Sequence, residues 1–168
     1  MKKIKLILGA AFGVAVLATA ISSCGSTQMK GAGNYTYETE CLGVEGDGSQ
    51  TVRGWGSGRN REDAVEQSKK NGLSSVLFNG IRSNKGCNMK AILFDSNIRE
   101  KKENYFNAFF ADGGPYTEFI TGEDGSDKHF SVVAGRKKAG DQVTYGVIIR
   151  VQRAKLKDRM IQDGILPQ

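Results

Sequence analysis

The residues from Val143 to Val151 constrain the fold of this chain most strongly. Every second residue there is apolar: Val143, Tyr145, Val147, Ile149 and Val151. Because successive side chains of a β-strand point to opposite faces, a period of two predicts a strand with one buried face. A strand over residues 130–136 and a turn at Ala139-Gly140-Asp141 precede it, so we expect a β-hairpin.

A second hairpin is predicted near the other end. Residues 35–41 alternate in the same way, with charged residues on one face. A turn through Glu45-Gly46-Asp47-Gly48 follows, and a second strand is expected from about Gln50 to Trp55.

The clearest helix follows this hairpin. Asn60 is placed as its N-cap, and Asn79-Gly80 supplies a left-handed stop. Small residues recur at four-residue spacing: Ala64, Ser68 and Gly72. Such a row lets a helix backbone lie close to a sheet.

Two further helices complete the expected fold. One begins at Asn97, with Glu100 completing a capping box, and ends at Gly113-Gly114-Pro115. The last runs from about Arg153 to Asp163. We therefore expect an α+β fold: an antiparallel sheet of about four strands in two hairpins, with two helices between the hairpins and a C-terminal helix, covering one face.

The first 23 residues have the pattern of an export signal. Lys2, Lys3 and Lys5 precede an uncharged run, Leu6–Ala20, that is too short to span a bilayer comfortably. Ala18-Thr19-Ala20 would suit ordinary signal peptidase. We favour a different cleavage site, since Ile21-Ser22-Ser23-Cys24 resembles the lipobox of bacterial lipoproteins and explains the cysteine.

The lipobox resemblance implies a lipid anchor. Cys24 would receive a diacylglyceryl group on its sulfur, become the first residue after cleavage and be acylated on its amine. Two or more chains anchor a protein stably, at about 0.8 kcal/mol per buried CH₂. Gly25 in place of an aspartate points, in that family, to the outer membrane.

Composition excludes one class of function and sets the domain plan. Loss of the signal lowers the basic residues from 24 to 21 against 18 acidic ones, so a nucleic-acid partner loses its support. We expect a signal peptide at 1–23, a lipidated cysteine with a flexible linker at 24–34, and a single α+β domain at 35–168.

Export also changes the interpretation of the remaining cysteines. Cys41 and Cys87 would reside where disulfides persist, and we favour a bond between them over two buried free thiols.

The segment Val52–Gly58, followed by a helix from Asp63 to Gly72, resembles two lipoprotein groups. These are the twenty-kilodalton membrane-associated lipoprotein family and the N-terminal domain of flagellar assembly lipoproteins. The resemblance implies a small α+β fold in the envelope and carries no catalytic residue. From the residues alone, Gly54, Gly56 and Gly58 are interpreted as a strand-to-helix turn; Arg59 or Arg61 occupies the third glycine position of a dinucleotide fingerprint.

Candidate catalytic groups are few. His129 is the only histidine and is interpreted as a solvated residue at a strand end. Glu118, Glu123 and Asp124 could pair for hydrolysis of glycans, as could other acids of the chain. No catalytic residue, metal ligand or cofactor is predicted.

Two side-chain groups have surface and core interpretations. The rings from Tyr105 to Phe119 are expected to fill the core, the alternative being a groove for a partner or glycan. The basic residues of the last helix are expected on a solvated face, or against acidic lipid headgroups: Arg153, Lys155, Lys157 and Arg159.

The sequence therefore predicts a non-enzymatic envelope lipoprotein, anchored to the membrane by lipid, that binds another envelope protein or glycan or serves in assembly. The alternative is a small periplasmic glycan or peptidoglycan hydrolase that uses paired carboxylates. A module for a soluble ligand would instead show an apolar pocket near Trp55 or Phe109.

Overall fold

The computed structural model describes residues 38–81, 87–135 and 142–167. Four helices, two other helical turns and five strands follow one another there: β1 (Glu40–Val44), β2 (Gln50–Gly58), α1 (Arg61–Ser74), a π-helical turn (Ser75–Asn79), α2 (Ile98–Lys101), α3 (Glu103–Phe109), a 3₁₀ turn (Pro115–Phe119), β3 (Ile120–Thr121), β4 (Ser131–Ala134), β5 (Val143–Val151) and α4 (Arg153–Gln162).

The strands form one antiparallel sheet in the order β1-β2-β5-β3, with β4 also paired to β5. The long strands β2 and β5 pair along their whole length, from Gln50 opposite Val151 to Gly58 opposite Val143. The expected α+β class is confirmed, and β3 is a short strand that the sequence pattern did not indicate.

The helices cover one face of the sheet, where the core lies. Alternate residues of β5 point into it, and Val147, Ile149 and Val151 are completely buried. The other face of β5 is also partly covered, since Thr144 and Ile148 are only 8% and 9% exposed. The expectation of a single buried face was therefore too simple, because β5 is an inner strand with neighbours on both edges.

The predicted start of α1 at Asn60 is confirmed, and the predicted stop at Gly80 ends the π-helical turn that continues α1 beyond Ser74. Asn60 Oδ1 accepts a hydrogen bond of 2.8 Å from Asp63 N–H, which satisfies one of the free donors of the first turn. At the other end Gly80 has a φ of +67°, a backbone conformation that side chains disfavour. The wider π-helical turn before it was not predicted.

The predicted helix from Asn97 to residue 112 is wrong in two respects. It is divided into α2 and α3 at Lys102, whose φ of −122° is not helical. The capping box is also absent, because the Asn97 side chain makes no cap bond. Instead, Asp95 Oδ1 accepts a hydrogen bond of 3.0 Å from Asn97 N–H. The turn before α2 thereby satisfies the backbone N–H group at the start of the helix.

The C-terminal helix α4 follows the sequence prediction. Leu156 and Met160 are completely buried on one side, and Gly164 ends the helix with a φ of +65°. Ile165 then packs back onto the core. No described helix has the length and apolar character needed to cross a membrane. The signal, the lipid site at Cys24 and the linker lie outside the described residues.

Candidate functional site

The contact between β2 and α1 sets the geometry of the region around the strand end. A Cβ atom added at Gly56 would lie 2.6 Å from the carbonyl oxygen of Ala64, and one at Gly58 would lie 2.6 Å from the nitrogen of Ala64. Such distances are shorter than van der Waals contact, so only glycine permits the helix backbone to approach this closely.

The three glycines therefore differ from their expected role as a strand-to-helix turn. Gly54, Gly56 and Gly58 all lie inside β2, and Arg59 and Asn60 make the turn. The sequence pattern identified the small residues on both elements correctly. Turning and close packing both favour glycine, and only the register of the strand with the helix distinguishes them.

Ser68 lies at the centre of this contact, and its buried hydroxyl is hydrogen-bonded. Its Oγ lies 2.9 Å from the carbonyl oxygen of Ala64 and 2.5 Å from that of Tyr145 in β5. A buried hydroxyl destabilises a protein unless it is hydrogen-bonded. These carbonyls explain why a serine, completely buried, is tolerated there.

A polar groove of about 580 Å³ opens beside the C-terminal half of α1. Its polar wall combines hydroxyl, amide and carboxylate side chains: Glu38, Thr39, Asn71, Ser74, Ser75 and Asn79. Trp55 and Ile81 also line it. A module for a soluble ligand was expected to show an apolar pocket near Trp55 or Phe109, and the lining of this groove near Trp55 is instead mostly polar. Its polar residues come from two separate segments, 38–39 and 71–79, so no local motif could have identified them.

Hydrogen bonds hold one side of the groove in place. Asn71 Nδ2 donates to the Trp55 carbonyl oxygen at 2.8 Å, and Asn71 Oδ1 accepts from Gln67 Nε2 at 2.8 Å. The hydroxyls of Thr39 and Ser75 are 2.7 Å apart. The segment before β1 is thereby joined to the π-helical turn.

Charged residues line the sheet face opposite α1. Arg53 Nη1 lies 3.0 Å from Glu40 Oε2, and Arg150 Nη2 lies 2.8 Å from Asp47 Oδ2. The Ser49 N–H, then the Ser49 hydroxyl and the Arg150 charge, lower the pKa of Asp47 below its ordinary value. The first ion pair joins β2 to β1, the second joins β5 to the turn that follows β1, and neither was foreseen.

Cys41 and Cys87 lie at disulfide distance, with their Cα atoms 5.9 Å apart. Both side chains are buried. The favoured pairing thus fits the geometry, and it attaches β1 to the segment that follows the π-helical turn. Gln50, completely buried beside it, donates from Nε2 to Cys41 Sγ at 3.5 Å.

The acidic residues near His129 form a shallow depression of about 350 Å³. Glu123, Asp124 and His129 line it and are all exposed, whereas Glu118 is not among its lining residues. Asp124 Oδ1 accepts from Ser126 N–H at 2.9 Å, and Ser126 Oγ lies 3.2 Å from His129 Nδ1. Among the described residues no three potential metal-binding side chains come together.

The core interpretation of the aromatic residues is confirmed. Phe106, Phe109, Tyr116 and Phe119 are buried, and the rings of Phe109 and Phe119 stack at 5.8 Å. The Tyr116 hydroxyl donates to Glu66. Burial, followed by that bond to a carboxylate, raises the pKa of Tyr116 well above its ordinary value.

The basic residues of α4 are partly on a solvated face: Lys155 and Lys157 are exposed as expected, whereas Arg153 and Arg159 are half-buried. Lys155 Nζ donates to the Glu118 carbonyl oxygen at 2.9 Å, and Arg159 Nε lies 2.7 Å from Asp163 Oδ2. Arg153 Nη2 donates to the Lys90 carbonyl oxygen at 2.5 Å, and partial burial lowers the pKa of Arg153. Packing therefore covers part of the Arg153 and Arg159 side chains, because long basic side chains lay their apolar stems against the protein surface.

No protein-family model, no curated protein and no solved structure matches this chain.

Proposed function

We propose that this chain is a non-enzymatic envelope lipoprotein, attached to the outer membrane through lipid on Cys24, whose single α+β domain binds another envelope component or serves in assembly. The observation that carries this proposal is the cysteine pair: Cys41 and Cys87 lie at disulfide distance, in a chain whose first 23 residues have the pattern predicted for an export signal. Disulfides persist in oxidising compartments and are rare in the cytosol.

The resemblance of β2 and α1 to the twenty-kilodalton and flagellar assembly lipoproteins supports the same location. The small residues on which this resemblance rests lie where β2 contacts α1, so the close packing of strand and helix explains why they are small. The polar groove offers a surface for a partner, since recognition sites combine a concave shape with a few placed polar groups.

Subcellular fractionation with palmitate labelling tests the proposal. The wild-type protein should incorporate labelled palmitate and sediment with the outer membrane. The Cys24→Ala variant should lose the label and leave the membrane fraction. Wild-type protein that stays in the cytosol without label contradicts the proposal. The Cys41→Ala variant is the matched control, because that cysteine lies within the domain and should not affect labelling.

A second function, hydrolysis of glycan or peptidoglycan, is favoured only by the depression that holds Glu123, Asp124 and His129. A retaining or inverting hydrolase needs two carboxyl groups on either side of the scissile bond. Turnover of a cell-wall substrate by the wild type, abolished by Glu123→Gln or Asp124→Asn at an unchanged melting temperature, would support it. Absence of turnover across a cell-wall substrate panel would exclude it.

A further inference from the structure

We propose that the polar groove beside α1 binds a neutral oligosaccharide, so that the envelope component recognised by this domain is a glycan. This inference rests on the envelope location proposed above. It names the chemical class of the ligand, which that proposal leaves open.

The chemistry of the wall suits sugar hydroxyl groups. A carboxamide offers two donors and an acceptor with two lone pairs, and a hydroxyl both donates and accepts. Asn71 and Asn79 provide amides, and Thr39, Ser74 and Ser75 provide hydroxyls. A sugar ring presents hydroxyls that also donate and accept, so the two surfaces are complementary.

The hydrogen-bonding groups of the wall divide into fixed and available ones. Asn71 and Ser75 are held by neighbours: Gln67 Nε2 donates to Asn71, and the Ser75 hydroxyl lies 2.7 Å from the Thr39 hydroxyl. By contrast, the side chains of Ser74 and Asn79 make no hydrogen bond within the described part of the chain, and Asn79 is exposed. A fixed wall with available groups reduces the ordering that binding requires.

The charge of the groove disfavours an anionic ligand. Glu38 is its one carboxylate, and no described lining residue is basic. Phosphate, sulfate or acidic polymers would meet like charge without a compensating Lys or Arg. The size of about 580 Å³ falls in the range of roughly 300–1,000 Å³ typical of small-molecule sites.

The π-helical turn is a second observation that points to this place. Such turns are rare and are often found at functional sites. Here the turn begins at Ser75 and ends at Asn79, and both residues line the groove. A regular α-helix has fewer residues per turn than a π-helix. It would therefore present these two side chains, which are four positions apart, in a different relative orientation.

Calorimetric titration of the mature lipoprotein tests the proposal. The protein is kept in a detergent without a sugar headgroup, and the probes are the neutral oligosaccharides tetra-N-acetylchitotetraose and maltotetraose. We expect saturable binding of at least one of them, accompanied by a change in the fluorescence of Trp55, the only tryptophan. The Asn79→Ala variant should bind about threefold to tenfold more weakly, the loss of one hydrogen bond. Asn104→Ala, an exposed asparagine on α3, should bind as the wild type does.

Several results would overturn the proposal. They are no saturable binding of either neutral probe at millimolar concentration, tighter binding of a sulfated tetrasaccharide or of an uncharged peptide, or equal affinities for the two asparagine variants. A far-ultraviolet circular dichroism spectrum establishes that Asn79→Ala is folded. Lipidation of Cys24 is measured separately, so lipidated protein that binds no sugar contradicts only the glycan proposal.

Discussion

Gly54 in β2 and Gly72 in α1 face each other so closely that a Cβ atom on Gly54 would lie 2.8 Å from the Gly72 nitrogen. A similarly close contact occurs two residues further along the strand, between Gly56 and Ala64. Helix and sheet therefore contact through main chain rather than through large side chains. This contact positions Asn71 and Ser75 at the groove, because Asn71 lies near the C-terminal end of α1 and Ser75 begins the π-helical turn that follows it directly.

The Gly56→Ala substitution should strongly destabilise the domain. The added methyl group meets backbone of α1, which cannot move without displacing the helix, and overpacking of this kind costs about 1–3 kcal/mol. The free energy of unfolding, measured in denaturant by circular dichroism, checks this. Gly46→Ala is the matched control, since a Cβ there has nothing within 4 Å. Equal stability of the two variants would contradict the close contact.

The two asparagines expected to cap helices should respond differently to substitution. Asn60→Ala removes the bond to Asp63 N–H and should lower the free energy of unfolding by about 1 kcal/mol. Asn97→Ala removes no cap bond and should change stability by less than about 0.5 kcal/mol. Thermal and denaturant unfolding of both variants provide the comparison. A larger loss at Asn97 would show that its side chain caps α2 after all.

Removal of the Cys41–Cys87 link should destabilise the domain substantially. The two residues are 46 positions apart, and the chain-entropy model gives about 4 kcal/mol for a loop of that size. We expect the midpoint of denaturant unfolding to fall when a reductant is added. The Cys41→Ala/Cys87→Ala double variant should unfold at the same midpoint with and without reductant. A wild-type midpoint that does not respond to the reductant would contradict the link.

The contribution of Asp47 to the free energy of unfolding should decrease at low pH. Its bonds from Ser49 and Arg150 favour the charged carboxylate, so its pKa is lower in the folded state than in the unfolded chain. That contribution is present above the unfolded pKa and is lost as the pH falls through the folded pKa. The difference in stability between wild type and Asp47→Asn should therefore shrink as the pH falls below about 4, the ordinary pKa of an aspartate. A difference that grows on acidification would be inconsistent with the lowered pKa.

The sequence was most informative where one physical requirement controls a residue. Asn60 and Gly80 were placed correctly, since a free N–H group and a backbone of positive φ each admit few residue types. The apolar alternation of β5 similarly identified a strand, although it did not show that the strand has neighbours on both edges. These are local requirements that a short window of sequence contains.

Features that depend on distant segments were missed or misassigned. Gly54 was interpreted as part of a turn, because its contact with Gly72 exists only after β2 and α1 pack together. The break at Lys102 follows from the packing of two short helices, and the groove joins Thr39 to Ser75 across 36 positions. No periodicity or spacing in the sequence encodes such pairings directly.

Intact-mass analysis of the protein purified from membranes of its native host tests the central claim most directly. We predict a chain that begins at Cys24 and is heavier than its amino-acid sequence by a diacylglyceryl group and one amide-linked fatty acid. A chain that begins at Ile21, or that carries an unmodified Cys24, would contradict the lipid anchor and the envelope function built on it.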